Sequence, residues 1–195
     1  MGYAIAGALS AAGHTVDLVT GPVEIPPPPQ VRVHAVTSAL EMQALVESLY
    51  PRVDWVFGVA AVADYRPKQR LPGKPKKQAH GFALDLVPNP DILGGLGRNK
   101  GRHLLVGWAL ESPAEGGVPG ALARGRAKLA HKHLDLVVVN LTAAMGAEDN
   151  EVWLVRADGS ERALARADKD TIAREIVAEA TRLAADPQHS RGRTL

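Results

Sequence analysis

Apolar positions along this chain change their period from one segment to the next, and each change marks an element. Ile5, Ala8, Leu9 and Ala12 recur at helical spacing, and Gly13 closes the run as a C-cap. Thr15 to Thr20 (TVDLVT) reads as a strand ended by Gly21-Pro22. Pro26 to Pro29 predict an extended polyproline II connector, and Val31 to Val36 alternates as a strand. Ser38 and Glu41 form a capping box ahead of Leu45, Val46 and Leu49, in a helix that ends by Pro51. Val53 to Val59 is a nearly unbroken apolar run, the pattern of a central strand buried on both faces.

The next boundary is unusual. The apolar run continues to Val62, ends in Ala63-Asp64-Tyr65, and gives way to a polar, basic, Pro- and Gly-broken flap within residues 58–78 that closes on Lys74-Pro75-Lys76-Lys77. Loops beyond ~12–15 residues are uncommon in compact domains unless they serve a function or are disordered. This one follows a predicted buried strand, at the carboxyl edge where open α/β sheets hold their ligands. Phe82 to Val87 then alternates as a strand, and Asn89-Pro90-Asp91 caps a short helix through Leu96. His103 to Ala109 reads as a strand, a helix follows the Pro/Gly-rich residues 113–120 to about Lys132, and Leu134 to Val139 reads as another buried strand. Glu151 to Arg156 and Glu161 to Ala165 flank Asp158-Gly159, a hairpin signal. Asp168 caps a last helix carrying Ile172, Ile176, Val177 and Leu183.

Strands alternating with helices predict an α/β fold: a doubly wound, Rossmann-like, three-layer sheet with a peripheral β-hairpin. Such sheets open on a strand, whereas this pattern opens on a helix, so the expected sheet lacks its first strand. Residues 1–184 form one predicted domain and the polar residues 185–195 a disordered tail.

Composition narrows the classes. With 195 residues, 46% of them hydrophobic, the chain can bury one sizeable core. A net charge of +2, with dispersed lysines and arginines, is too weak a bias to imply a nucleic acid. There is no cysteine, which excludes thiolate nucleophiles, disulfides and zinc–thiolate sites within these residues. No stretch of ~18 apolar residues and no basic leader are visible, so no membrane partner is expected and the cytoplasm is the expected compartment.

The candidate chemistry clusters at predicted strand ends. Gly58, Val59 and Ala60 offer a backbone that a ligand can approach, and Asp64 a carboxylate for a hydroxyl, an amine or a metal; a tightly packed turn would use the same residues. Lys74, with Lys76 and Lys77, suits charge developing at a phosphate, or merely a solvated basic loop. Pro90, Asp91, Ile92 and Leu93 open a helix, where amides receive an anion or a base edge, or are simply capped. Trp108 is either a stacking platform or a core residue. Lys128 and Lys132 share a helix face, either gripping phosphates or facing water. The seven histidines have no ligand spacing, so no protein metal site is expected. Gly94-Gly95-Leu96-Gly97 lacks the spacing of a dinucleotide fingerprint, and neither GxSxG nor a P-loop occurs.

Taken in order, Met1-Gly2-Tyr3-Ala4, Val19 to Pro22, Thr37 to Met42 (TSALEM), Ala60 to Tyr65 (AAVADY), Lys74 to Lys77, Asn89 to Ile92, Gly107 to Glu111 (GWALE), Lys128, Lys132, Leu134-Asp135 and Asn140 resemble phosphopantothenoylcysteine synthetase, the ligase of coenzyme A biosynthesis. The resemblance implies a CTP-dependent, two-step joining of 4'-phosphopantothenate to cysteine through an acyl-cytidylate, with Mg2+ on the triphosphate. It implies that Gly58, Val59, Ala60 and Asp64 border CTP, that Lys74 serves the activation step, that Pro90 to Leu93 contact the base beside Trp108, and that Lys128 and Lys132 meet the triphosphate. A homodimer is implied, and FMN only where a decarboxylase domain stands upstream. Trp108 replaces the family's usual Phe, and the family's glycine-rich first loop is not in this sequence. Two other functions stay open from the residues alone: an NAD-dependent oxidoreductase, and a degenerate nucleotide-binding module.

Overall fold

The computed structural model describes residues 1–69, 73, 82–113, 116–141 and 149–186. Helix α1 (Gly2–Ala11) buries Ile5, Ala6 and Leu9. Gly13 follows with φ +87°, a left-handed bend open to glycine without a Cβ clash. β1 (Asp17–Thr20) and β2 (Arg32–Ala35) pair in parallel, Leu18 opposite Val33, as a two-stranded ladder of their own. α2 (Ala39–Leu49) starts at the predicted cap, Ser38 Oγ accepting from the Glu41 amide at 3.2 Å. The return half of the box is displaced by one residue: the Glu41 carboxylate accepts the amide of Thr37 at 2.8 Å, and its hydroxyl as well.

A five-stranded sheet forms the body. Its order is β3 (Trp55–Gly58), β6 (Leu104–Glu111), β7 (Leu136–Leu141), β8 (Asp149–Arg156), β9 (Glu161–Asp168). β3, β6 and β7 pair in parallel, β8 pairs antiparallel with β7, and β9 antiparallel with β8. A small antiparallel pair, β4 (Tyr65–Pro67) with β5 (Leu86–Pro88), stands apart. The other helices are α3 (Ile92–Arg98), α4 (Gly117–His131) and α5 (Lys169–Ala185).

Alternating strand side chains feed two cores. Leu104, Val106, Leu136, Val138, Val152 and Leu154 pack with Ile5 and Leu9 of α1 and with Ile172 and Ile176 of α5. Leu105, Ala109, Val137, Val139 and Val155 pack with Leu96 of α3 and with Ala121, Leu122 and Leu129 of α4. Leu136 to Val139 are 0% exposed and Leu104 to Val106 at most 1%, so β6 and β7 are both buried on both faces. Each such side chain contributes about 1.5–3 kcal/mol by leaving water. Beside these cores, Glu179 of α5 is 0% exposed and is satisfied by Arg156, Arg162 and Arg182, which pins the hairpin to the last helix.

Two expectations change. The apolar run at Trp55–Gly58 is the sheet's edge strand, not its centre: all four residues are half-buried, and beyond it lies a groove. The hairpin forms at one edge of the five-stranded sheet, as its outermost two strands, and is joined to the body through Val152, Leu154 and Val155, which carry the core across β8. Of Phe82 to Val87 only the end pairs, in β5, and Phe82 and Leu84 remain exposed. From residue 187 the expected tail lies outside the described residues.

Candidate functional site: a groove between two ladders

A groove of about 1290 Å³ separates β1 from β3, and all four residues of each strand line it. It extends over the carboxyl end of β3, where Gly58, Val59 and Ala60 follow one another. Gly58 lies in register with Gly107 of β6. A Cβ on Gly58 would stand 2.8 Å from Leu93 Cδ2, and one on Gly107 would stand 2.5 Å from Leu134 Cδ1. The missing side chains therefore seat Leu93 and Leu134, and α3 settles close to the sheet. On this face the space over Gly58 belongs to Leu93, not to a ligand.

Asn89 braces the next segment. Its amide donates to the Asp64 carbonyl at 2.7 Å and its Nδ2 to the Ala63 carbonyl at 2.8 Å. Arg66 Nη1 in turn donates to the Pro88 carbonyl at 2.6 Å. This ties the Ala63-Asp64 turn to Pro90, so the exposed Asp64 and the start of α3 stand on one wall.

Asp91 caps α3, Oδ1 accepting the Gly94 amide at 3.1 Å, so the side chain already occupies that free amide. The same oxygen accepts Lys132 Nζ at 2.8 Å. Lys128 Nζ stands 3.6 Å from Glu111 Oε1, while Arg124 Nε donates to Glu111 Oε2 at 2.7 Å. Both lysines line the groove although they sit at the far end of α4, because long side chains reach back toward the strand ends. Trp108 also lines it, half-buried, from the sheet face opposite Leu93, where it packs on the α1 and α5 core.

The groove thus gathers Gly58, Val59, Ala60, Asp64, Pro90, Asp91, Ile92, Leu93, Trp108, Lys128 and Lys132. Lys74, Lys76 and Lys77 lie outside the described residues. Asn140 is not among the lining residues; it stands opposite Leu110 in β7. Among the described residues no three His, Asp or Glu side chains cluster as a metal site, and no helix is long and apolar enough to cross a membrane.

The model of the DNA/pantothenate metabolism flavoprotein C-terminal domain matches residues 1–183. This chain belongs to that family. The phosphopantothenoylcysteine synthetase resemblance is borne out by relatives as well. The chain is 38% identical over 184 residues to the coenzyme A biosynthesis bifunctional protein CoaBC of Bacillus subtilis (strain 168), covering 92% of this chain and 44% of that protein. It is 37% identical over 169 residues to CoaBC of Escherichia coli (strain K12), covering 83% and 40%. The chain therefore spans less than half the length of these relatives. The crystal structure of the C-terminal domain of CoaBC superposes with a TM-score of 0.76 at 33% identity, over 93% of this chain and 82% of the other. The DNA/pantothenate metabolism flavoprotein from Streptococcus pneumoniae, at 17% identity, shares the fold with a TM-score of 0.79, over 92% and 86%.

Two features of this synthetase-family groove escape a reading of the sequence. Glu111 sits inside GWALE, yet only the fold brings Arg124 and Lys128 onto it. Asn89 looks like a turn residue, yet its bonds reach across 25–26 positions to Asp64 and Ala63.

The Asp91 cap carries a pH signature. Burial pushes its carboxyl up, but the Lys132 hydrogen bond, the Gly94 amide and the charges of Lys132 and His131 outweigh it, and the net shift is down from 3.8. A folded-state pKa below the unfolded one adds stability that is complete above the unfolded value and disappears as pH falls through the folded one. Thermal melts between pH 6 and pH 2 should therefore show Asp91→Asn costing stability at the upper end and converging on the parent at the lower. A constant gap across the range would assign the loss to packing instead.

Proposed function

We propose that this domain is a CTP-dependent phosphopantothenate–cysteine ligase acting in coenzyme A biosynthesis. The observation that carries the reading is the meeting of Asp64, the Pro90 to Leu93 segment, Trp108 and two lysines on one groove, above the ends of parallel strands. On this reading β1–β2 and the five-stranded sheet are parts of one Rossmann-like layout, and the nucleotide lies across the gap between them.

The chemistry suits such a wall. The 4'-phosphopantothenate carboxylate attacks the α-phosphorus of CTP; a carboxylate oxygen–phosphorus bond forms, the α–β bridge breaks and pyrophosphate leaves. One anion striking another is electrostatically uphill, so cations that engage the transferring group lower the barrier. Lys128 and Lys132 hold the triphosphate, and Lys74, from the flap, serves the activation step. The cysteine amine then attacks the acyl carbon, forming the carbon–nitrogen bond of the amide and expelling CMP; the amine's proton passes to solvent. Mg2+ accompanying the triphosphate would offset charge on the phosphates, and a groove carboxylate would hold it. Asp64 fits that role: among the described groove carboxylates it has no ion-pair partner, whereas Asp17, Asp54 and Asp91 each have one. The working form is a homodimer, and FMN enters only where a decarboxylase domain stands upstream.

The test is pyrophosphate release measured with CTP and 4'-phosphopantothenate, with cysteine added afterwards. Release that needs both substrates, followed by CMP and amide on adding cysteine, is expected. A chain that neither binds CTP in calorimetry nor releases pyrophosphate would remove the ligase reading.

A further inference from the structure

We infer, on the nucleotide reading of the groove, that Glu111 is a positioning residue for the triphosphate: with Arg124 it holds the Lys128 ammonium ready at the groove wall. Glu111 closes β6, its side chain 12% exposed, and it does not itself line the groove. Each of its oxygens faces one cation. Oε2 takes Arg124 in a full hydrogen bond of 2.7 Å, and Oε1 faces Lys128 at 3.6 Å, beyond hydrogen-bond length. Arg124 and Lys128 are four apart on α4 and so share a face.

The unequal distances decide the roles. Arg124 offsets most of the carboxylate's charge, and the trio keeps a net charge of +1. Lys128 is oriented without being consumed. Lysine otherwise loses considerable rotamer freedom when it grips a phosphate. A lysine held beforehand has already given up part of that freedom, and preorganisation appears as affinity. Lys132 is the contrast: a full 2.8 Å bond to Asp91 engages one of its three N–H donors and offsets its charge.

Inorganic tripolyphosphate is the probe, titrated calorimetrically into the parent, Glu111→Gln, Arg124→Gln, Lys128→Met and the Glu111→Gln/Lys128→Met double variant. Glu111→Gln should weaken binding about fivefold, the upper end for a partly exposed ion pair. Arg124→Gln should weaken it too, because the full charge of Glu111 then bears on Lys128. In the Lys128→Met background the Glu111 change should have no effect. With CTP as substrate, Glu111→Gln should raise KM and leave kcat unchanged, the mark of lost uniform binding. Circular dichroism screens for folding, and Arg124→Gln carries the test if Glu111→Gln does not fold. Unchanged or tighter binding in Glu111→Gln, an equal loss with Lys128 already removed, or a parent that binds no tripolyphosphate would overturn the assignment. A parent that binds tripolyphosphate but not CTP would sink the nucleotide reading while leaving the Glu111–Lys128 coupling to stand or fall on the cycle.

Discussion

A chain with both Lys128 and Lys132 changed to methionine is expected to lose about a thousandfold in kcat/KM for CTP, at about 1.4 kcal/mol per tenfold. A hydrogen bond to a charged group is worth about 1.5–3 kcal/mol net, so two such contacts to phosphate reach the required 4 kcal/mol or so. The two halves are unequal. Lys132 shares its ammonium with Asp91, whose charge takes back part of what the lysine contributes. Lys128 gives up only a 3.6 Å contact, so Lys128→Met alone should exceed Lys132→Met alone. Folding should survive. Asp91 is 41% exposed on its side chain and keeps the Gly94 amide, so the lost ion pair should change the unfolding free energy by less than about 1 kcal/mol. Initial rates over a range of CTP concentrations measure the effect. A double variant within tenfold of the parent would remove both lysines from the triphosphate.

Gly97→Ala should cost about 2.5 kcal/mol of stability, or roughly 8 °C in Tm for a chain of this size. A Cβ at this point of α3 would stand 1.9 Å from the Lys132 carbonyl oxygen and 2.9 Å from its carbon. That backbone has little slack. The Lys132 amide closes α4 on the Lys128 carbonyl at 3.0 Å, His133 follows in the left-handed region at φ +52°, and the Leu134 amide returns to Leu129 at 3.0 Å. Alanine's better helix propensity recovers up to about 1 kcal/mol, less than the clash costs. The damage should also reach the groove, because the displaced residue carries the Nζ bonded to Asp91. Thermal unfolding, followed by the KM for CTP, reads both effects. A variant as stable as the parent would mean that α3 and α4 can part freely.

What the sequence discloses here is what neighbours in sequence decide. Helical spacing places α1 within a residue or two, the Ser38 cap starts α2, and Asp158-Gly159 turns the hairpin, since each depends on a few adjacent residues. The run at Trp55–Gly58 misleads because apolar continuity records burial on a strand's faces but not what lies along its edge. The site divides in the same way. Small residues at strand ends and a capped helix start are visible as patterns, and the fold draws them together. Which carboxylate each lysine meets is settled by contacts 17 and 41 positions apart in the chain, and no local pattern carries them. Trp108 shows a subtler limit: its neighbourhood is legible, but the face it takes follows from where β6 begins its alternation.

The separation of the β1–β2 ladder from the five-stranded sheet bears on how a guest is admitted. No rung of backbone hydrogen bonds crosses from one bank to the other among the described strands. Helix α1, seated on α5 and the strands beside it, bridges the banks through side chains: apolar packing, the Tyr3 hydroxyl 3.4 Å from Thr20 Oγ1, and, from the turn after it, the His14 ring 4.6 Å from that of Trp55. Widening or narrowing this channel therefore asks only for side chains to rearrange, while every strand pairing stays whole.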